Sequence, residues 1–583
     1  MAKKIIAILL AAVMIVCVFA GCTGGQKENS QQESSSGSKS DSSKESSSQA
    51  SENSGEELPL INTDSLLPVV NEPLSLSVAV RVGADDLESD EKWFYRWWKD
   101  ATGIDIEYIQ INSDALSERK AVMLAGEDLP DVMYAFNWTN NEVLNYGMNE
   151  HFFAVLNDSI ETYGDKIKEK MELCPGSLEG VTLPDGNIYS IPQLNAFPTT
   201  MAFSTQNTSI NMQWIENLGL EKPVTLEDYY EVLKAFKEQD ANGNGDPNDE
   251  IPWSGSWTEN QTTIRNQILL AYGIVSDGGF GNPALKNGEV TYAPVDEDYF
   301  NYLTFMNRLY TEGLLDQDVF SQDNTAFTAK GNEMRVGVIP FAAPYYITGS
   351  ENDNYTQYES FLLTADASKA PVAYQAYGFV PGYITIASSC ENVDAAVRLI
   401  NTLYDDTVNI MQFYGPMKGS EYDDEYAQEL NFGYENVYDD NGNWINYNMP
   451  GYSEEEHGNL WSYLCRHCMC VAGNAFTGVL ARVNLYNADP IANGNPLEAT
   501  WRASNREFVL PYIQYGYPSV YLDDASLKTI SEIATPLADY AYMMEAKFIT
   551  GDEPLSNYDA YLEEMNNLGV QDYLKIYTEA YAK

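Results

Sequence analysis

Between Asp240 and Glu250 the chain offers oxygen donors at a spacing that suits a hard cation. Asp240, Asn242 and Asn244 place oxygen-bearing side chains at every second residue. Gly243 and Gly245 permit the sharp turns that aim them inward. Asp246 can add a backbone carbonyl, and Asp249 and Glu250 can close the shell with carboxylates. Hard oxygen ligands, alternating and glycine-spaced, favour Ca²⁺ over zinc or copper. The loop begins as an EF-hand does, but its twelfth position is Ile251 where that motif needs a bidentate Glu, and Pro247 interrupts it. The expectation is a compact structural calcium loop over 240–250 that ties a helix end to the next strand. The alternative is an acidic turn rich in Asn and Gly that needs no metal.

Three other sets of residues could do chemistry. Cys465-Arg-His-Cys-Met-Cys470 gathers three thiols and His467, but zinc sites usually need a second paired element and none is present. Thiol packing or one local disulfide is the expectation. With Cys174 and Cys390 the thiol count after Cys22 is odd, so at least one is free or paired between molecules. Nucleophilic catalysis finds no motif: His151, His457 and His467 are the only histidines, and none accompanies a Ser or Cys nucleophile pattern. A glycosidase needs two carboxylates, and among 86 acidic residues nothing marks a pair. The expectation is that the chain is not an enzyme.

The elements around these residues begin with an address. Lys3 and Lys4 precede an apolar run, Ile5 to Phe19, too short and wrongly flanked for a bilayer span. Phe19-Ala20-Gly21-Cys22 resembles a bacterial lipobox, which implies residues 1–22 as a lipoprotein signal with Cys22 lipidated. Residues 23–57 are almost wholly Ser, Gln, Glu, Lys, Asn and Gly, and cannot bury enough surface to fold. A tether of that length has a reach of roughly 30–35 Å. A formal charge of −53 argues against nucleic acid, whose phosphates need Lys and Arg, and against an acidic polymer as ligand. Tyr 41 and Trp 10 supply many amphipathic rings, some of which would suit a sugar cleft.

Leu74–Val82 alternates as a strand, Trp93–Lys99 begins a helix, and Ile104–Ile111 alternates again. Leu116–Ala125 reads as a helix and Leu129–Phe136 as a third strand. This order predicts a parallel sheet with right-handed crossovers, with ligand beyond the carboxyl ends of the strands. That places Arg81 and Asp85, then Asn137 and Trp138, at the expected mouth. Thr225–Gln239 is an amphipathic helix, with Tyr229, Val232, Leu233 and Phe236 on one face. Arg335–Tyr346 is a strand running into an aromatic loop, and Val393–Tyr404 is a helix. Gly433–Trp444 is a hairpin with its turn at Asn441-Gly442.

The helix and loop "LKAFKEQDANGNGDPNDEIPW" (Leu233–Trp253), the stretch "LAGEDLPDVMYAF" (Leu124–Phe136) and the end "FITGDEPLSNYDAYLEEMNNLGVQDYLKIYTEAYAK" (Phe548–Lys583) resemble extracellular solute-binding protein family 1. The resemblance extends to its large carbohydrate-binding lipoproteins of ABC importers, including the alginate-oligosaccharide-binding type. It implies an α/β, two-lobed, periplasmic-binding-protein-like fold of type II, with discontinuous lobes joined by hinge strands near 190–196 and 374–382. The expected division is 58–190 and 376–430 in lobe 1, and 191–375 and 431–583 in lobe 2. The implied function is a monomeric, lipid-anchored receptor on the outer face of the cytoplasmic membrane. It would capture an oligosaccharide by hinge closure and present it to ABC permease subunits, touching the membrane only through its anchor. The resemblance adds Tyr345 and Tyr346 as aromatic platforms and calcium at the 240–250 loop. Trp257 and Trp461 complete the list of rings expected to face ligand. Two rivals stand beside it: a receptor for a non-sugar solute such as a peptide, and a cell-surface glycan-degrading enzyme.

Overall fold

A computed structural model describes residues 59–83, 86–195, 207–341, 343–349, 353–438, 444–457, 460–468 and 496–582. The signal, Cys22, the tether, Asp85, Cys470 and the Asn441-Gly442 turn lie outside them.

The strands in chain order are β1 (Leu74–Val82), β2 (Ile104–Asn112), β3 (Val132–Tyr134), β4 (Ile191–Leu194), β5 (Thr208–Asn211), β6 (Ile251–Trp253), β7 (Ile274–Val275), β8 (Ala284–Lys286), β9 (Glu289–Thr291), β10 (Val336–Pro340), β11 (Tyr358–Ser360), β12 (Ala373–Gln375), β13 (Phe379–Ile386), β14 (Glu435–Tyr438), β15 (Trp444–Asn448) and β16 (Ile513–Tyr515). Two sheets organise the body: a five-stranded one ordered β2-β1-β3-β13-β4, and a four-stranded one ordered β11-β5-β10-β6.

The alternating residues of β1 and β2 pair in parallel, Leu74 opposite Ile104 through Val82 opposite Asn112. Helix Trp93–Thr102 crosses between them and buries Trp93, Phe94, Tyr95, Trp97 and Trp98. A buried ring of this size contributes about 1.5–3 kcal/mol. Two of these rings have their polar edges satisfied: Trp98 Nε1 donates to Thr402 Oγ1 at 2.8 Å and Trp93 Nε1 to Asp424 Oδ1 at 3.1 Å. The third strand is shorter than its apolar run predicts. Pairing ends at Tyr134 because Ala135 (φ 59°) and Asn137 (φ 50°) turn the backbone left-handed. β13 returns antiparallel to β3 and to β4, so the sheet is mixed rather than wholly parallel.

In the second sheet β10 runs parallel to β6 and antiparallel to β5. Helix Leu226–Glu238 starts at a capping box formed by Thr225 and Asp228 and buries Tyr229, Val232, Leu233 and Phe236, the face its spacing predicts.

Two main hydrophobic cores divide the chain. One gathers residues of 61–194 and 379–468, the other residues of 210–363 and 522–573. This moves the expected boundaries. β4 belongs to the first sheet, so the first crossing follows Leu194 rather than preceding it. Phe432, Tyr434, Met449, Tyr463, Leu464, Cys465 and Cys468 pack into the first core, so the segment after 430 stays with the first lobe. The physical reason is Lys92, whose buried ammonium pairs with Asp86 at 3.1 Å and donates to the Cys465 carbonyl, pinning helix Leu460–His467 onto helix Trp93–Thr102. Cys174, Cys390, Cys465 and Cys468 are buried free thiols. A third contact strand, β16, pairs with β12 beside the hinge and has no counterpart in the sequence-based expectation.

Candidate functional site

The first lobe's strands deliver Asn137–Asn141 to the carboxyl edge of β3. Trp138 N donates to the Gly382 carbonyl at 2.8 Å, and Phe136 N to the Tyr383 carbonyl at 3.2 Å, which locks this turn against β13. Gly382 (φ +66°) is obligatory there: a Cβ would stand 2.0 Å from the Trp138 carbonyl oxygen.

Opposite this turn lie Asp277, Asn282 and Tyr517–Leu522 of the second lobe, and between them opens a groove of about 550 Å³. Its hinge-side wall is Tyr374, Tyr377 and Phe379. Tyr377 stacks on Tyr515 with ring centroids 5.0 Å apart. Hydrogen bonds from Asn140 and Tyr521 tie the 513–522 segment to the first lobe. Asn140 Nδ2 donates to Ser519 Oγ at 2.6 Å, and Tyr521 Oη to the Gly180 carbonyl at 2.9 Å. Aromatic faces beside amides and a carboxylate form an amphipathic lining of ligand-site size, able to cover an apolar ring face and bond hydroxyls.

Of the ring and polar candidates named from sequence and lying among the described residues, this groove is lined by Asn137 and Trp138 alone. Trp138 offers no free face. It is 1% exposed, packed by Phe136 and Phe153, with Lys120 Nζ 4.2 Å from its ring centroid. Burial pulls the Lys120 ammonium below its usual pKa, against the charge of Glu142. Trp257 lies away from the groove, its ring on Phe320 at 4.4 Å against the helix Asp524–Thr550. Tyr345 and Tyr346 form the start of a short helix past β10, and Tyr346 is 56% exposed. Neither of them lines the groove. Arg81 sits within β1 with its Nε buried and lacking a hydrogen-bond partner. Trp461 lies in helix Leu460–His467, but its side chain, like Asp85, is outside the described residues. Sequence reasoning missed Tyr374, Tyr377, Asn140, Asn282 and Tyr517. The only available signal was the density of tyrosines at 374, 377, 515, 517 and 521.

The 240–250 loop has its expected turns, with Gly243 at φ +74° and Gly245 at φ +96°. Glu250 Oε1 accepts from the Ala241 N–H at 2.9 Å and Asp240 Oδ2 from Gly245 N–H at 3.0 Å. Asp249 accepts from the amides of Asn242 at 3.1 Å and Asn244 at 2.8 Å. Asp246 turns outward and accepts from Asn248. Asn217 Nδ2 donates to the Ala241 carbonyl and Arg335 Nε to the Asp249 carbonyl, anchoring the loop to the second lobe. Among the described residues no three acidic, thiol or imidazole groups are gathered as a metal would gather them. Yet Asp240 Oδ1 and Glu250 Oε2 are buried carboxylate oxygens with no hydrogen-bond donor. Burial raises the Glu250 pKa. Two donor-less buried carboxylate oxygens are costly, and a cation would offset that cost, so the donor set fits Ca²⁺.

The chain is 25% identical over 509 residues to the fructooligosaccharide ABC transporter substrate-binding protein FusA of Streptococcus pneumoniae, covering 85% of this chain and 87% of that protein. The solved structure of the FusA EF-hand mutant in complex with fructo-nystose superposes with a TM-score of 0.63 at 22% identity, over 87% of this chain and 99% of that one. An extracellular solute-binding protein from Bifidobacterium longum subsp. infantis superposes with a TM-score of 0.69 at 20% identity, over 88% and 98%. Residues 84–410, more than half of the chain, match the family described as bacterial extracellular solute-binding protein. That match shows the family, and the chain, with its two cores and a groove bounded by both, belongs to it.

Proposed function

We propose that this chain is the receptor subunit of an ABC importer and captures a carbohydrate, an oligosaccharide, in the groove between its lobes. The observation that carries the reading is the groove's lining. Tyr374, Tyr377 and Tyr517 stand beside Asn137, Asn140 and Asn282, with both lobes contributing. Family membership and the sugar named for FusA support it. With a formal charge of −53, a neutral sugar fits better than an acidic one. Ligand selects the closed arrangement by touching both lobes at once, and no bond in it changes. The closed body then docks on the permease, whose partner ATPase supplies energy, since this chain has no P-loop.

Three further parts belong to the same reading. Cys22 carries lipid, and the tether holds a monomeric body outside the cytoplasmic membrane. Calcium sits at the 240–250 loop, held by Asp240, Asn242, Asn244, Asp249 and Glu250 with a carbonyl from Asp246. There it ties helix Leu226–Glu238 to β6. The EF-hand named for the FusA mutant supports this assignment.

A glycan panel covering fructo-, malto- and milk-type oligosaccharides, read by calorimetry and by product chromatography, tests the function. Saturable binding without product supports the receptor. Peptide binding without any glycan binding overturns the sugar assignment. Released product overturns the receptor.

A further inference from the structure

Trp257, missing from the interlobe groove, lines a second one. With Phe320, Tyr542, Met543, Lys547 and Thr550 it borders a hollow of about 640 Å³ on the second lobe. The two hollows are neighbours. Asp277 lines the first, and its Oδ1 accepts from the Gly279 N–H at 2.8 Å. Phe280 N–H donates to Tyr542 Oη at 2.7 Å, and Tyr542 lines the second. Gly279 sits between. A Cβ there would come within 3.2 Å of Asp277 Oδ1 and 3.5 Å of Tyr542 Oη, so Gly279 touches a lining residue of each hollow.

The rings between the two hollows are held from beneath. The Arg265 guanidinium lies 4.2 Å from the Phe280 ring centroid, 5.2 Å from that of Tyr542 and 5.7 Å from that of Trp257. Glu545 fixes it through Nε at 2.6 Å. Phe280 stacks on Tyr542 at 4.7 Å. The upper rings are only partly buried, whereas Phe280 and Arg265 are closed off. Rigid aromatic faces beside an ammonium and a hydroxyl repeat the amphipathic chemistry of the interlobe groove. Each hollow alone has the volume of a small-ligand site, and a ligand occupying both has to be a longer one.

We propose that the Trp257–Phe320–Tyr542 hollow is a distal subsite for the same sugar chain. The interlobe groove holds one end, and the remainder runs over Gly279 to stack on Trp257. This rests on the carbohydrate reading and deepens it: the ligand class becomes an oligosaccharide long enough to span both hollows.

The test uses the full-length body and two size series, fructo-oligosaccharides and malto-oligosaccharides from three to eight units, by calorimetry. In the series that binds, affinity rises roughly tenfold or more between the three-unit and the longest members. Trp257→Ala reduces that rise to about twofold or less while the three-unit sugar, which reaches only the interlobe groove, binds as before and reports an intact fold. Lys547→Ala, at an exposed position, weakens only the long members. Equal affinity at every length, or a length effect untouched by Trp257→Ala and Lys547→Ala, overturns the distal subsite and leaves the carbohydrate reading standing. Two binding events per chain for the short sugar would mean separate sites and also overturn it. No binding by either series, nor by milk-type oligosaccharides of the same lengths, overturns both.

Discussion

Arg265 and Glu545 form a forked ion pair in which both side chains are fully closed to solvent. The pair joins helix Trp257–Leu269 to helix Asp524–Thr550, residues far apart in sequence. Tyr302 Oη donates to Glu545 Oε1 at 2.6 Å, and Arg265 Nη1 donates to the Gly278 carbonyl, so the remaining polar atoms are met. A buried charge of this kind is tolerated only with its partner in place. Glu545→Ala should therefore cost roughly 3–5 kcal/mol by leaving the guanidinium uncompensated. The check is the urea midpoint at constant slope, and an unchanged midpoint would refute the burial of the pair.

Gly382→Ala should lower stability by about 2 kcal/mol or more, because φ +66° is strained for Ala and the added carbon meets the Trp138 carbonyl. Thermal unfolding reads the loss. Gly186→Ala is the control: its φ is +82° but nothing stands within 4 Å of the added carbon, so it should cost backbone strain alone.

Chelation with EDTA should lower the melting temperature by a few degrees if calcium saturates the 240–250 loop, since ligand at about 100 times its dissociation constant adds about 2.7 kcal/mol. Asp240→Ala and Glu250→Gln should each abolish the shift. A melting temperature indifferent to chelator, with Asp240→Ala also neutral, would remove calcium from the account.

His467 packs on Phe432 and Tyr463, and burial, then the charges of Arg466, His457 and Lys92, lowers its pKa from 6.5 to about 4. The folded form thus binds this proton less readily than the unfolded chain. Its contribution is full above pH 6.5 and lost as pH falls toward 4, by at most about 1.4 kcal/mol per pH unit. His467→Gln should flatten that part of the stability profile. A profile identical to the parent's would place the imidazole in solvent.

Tyr377→Ala removes a ring from the interlobe groove and from the stack on Tyr515, and should weaken the bound sugar roughly tenfold. Circular dichroism should be unchanged. Undiminished affinity would move the sugar away from the hinge-side wall.

Several elements were legible without coordinates because their causes are local. The alternation of Leu74–Val82, the apolar face of Thr225–Gln239 and the left-handed glycines of the 240–250 loop are all properties of a few neighbouring residues. The boundaries failed where distant groups intervened. Lys92 draws 460–468 back to the first core, and Ala135 and Asn137 stop β3 early although the apolar run continues from Val132 to Phe136. Trp138 illustrates the same limit within the site. Its position at the carboxyl end of a strand was predictable, yet Phe136, Phe153 and Lys120 cover its ring.

From the sequence alone came the hard-oxygen loop, the α/β order of elements and the family resemblance, since each is carried by residue type and short spacing. Only the tertiary structure decided which rings meet the groove, that Tyr377 and Tyr517 join Trp138 in its lining while Trp257 lies elsewhere, and that Arg265 finds Glu545. Those outcomes depend on which surfaces the two cores bury against each other, and no periodicity along the chain encodes that choice.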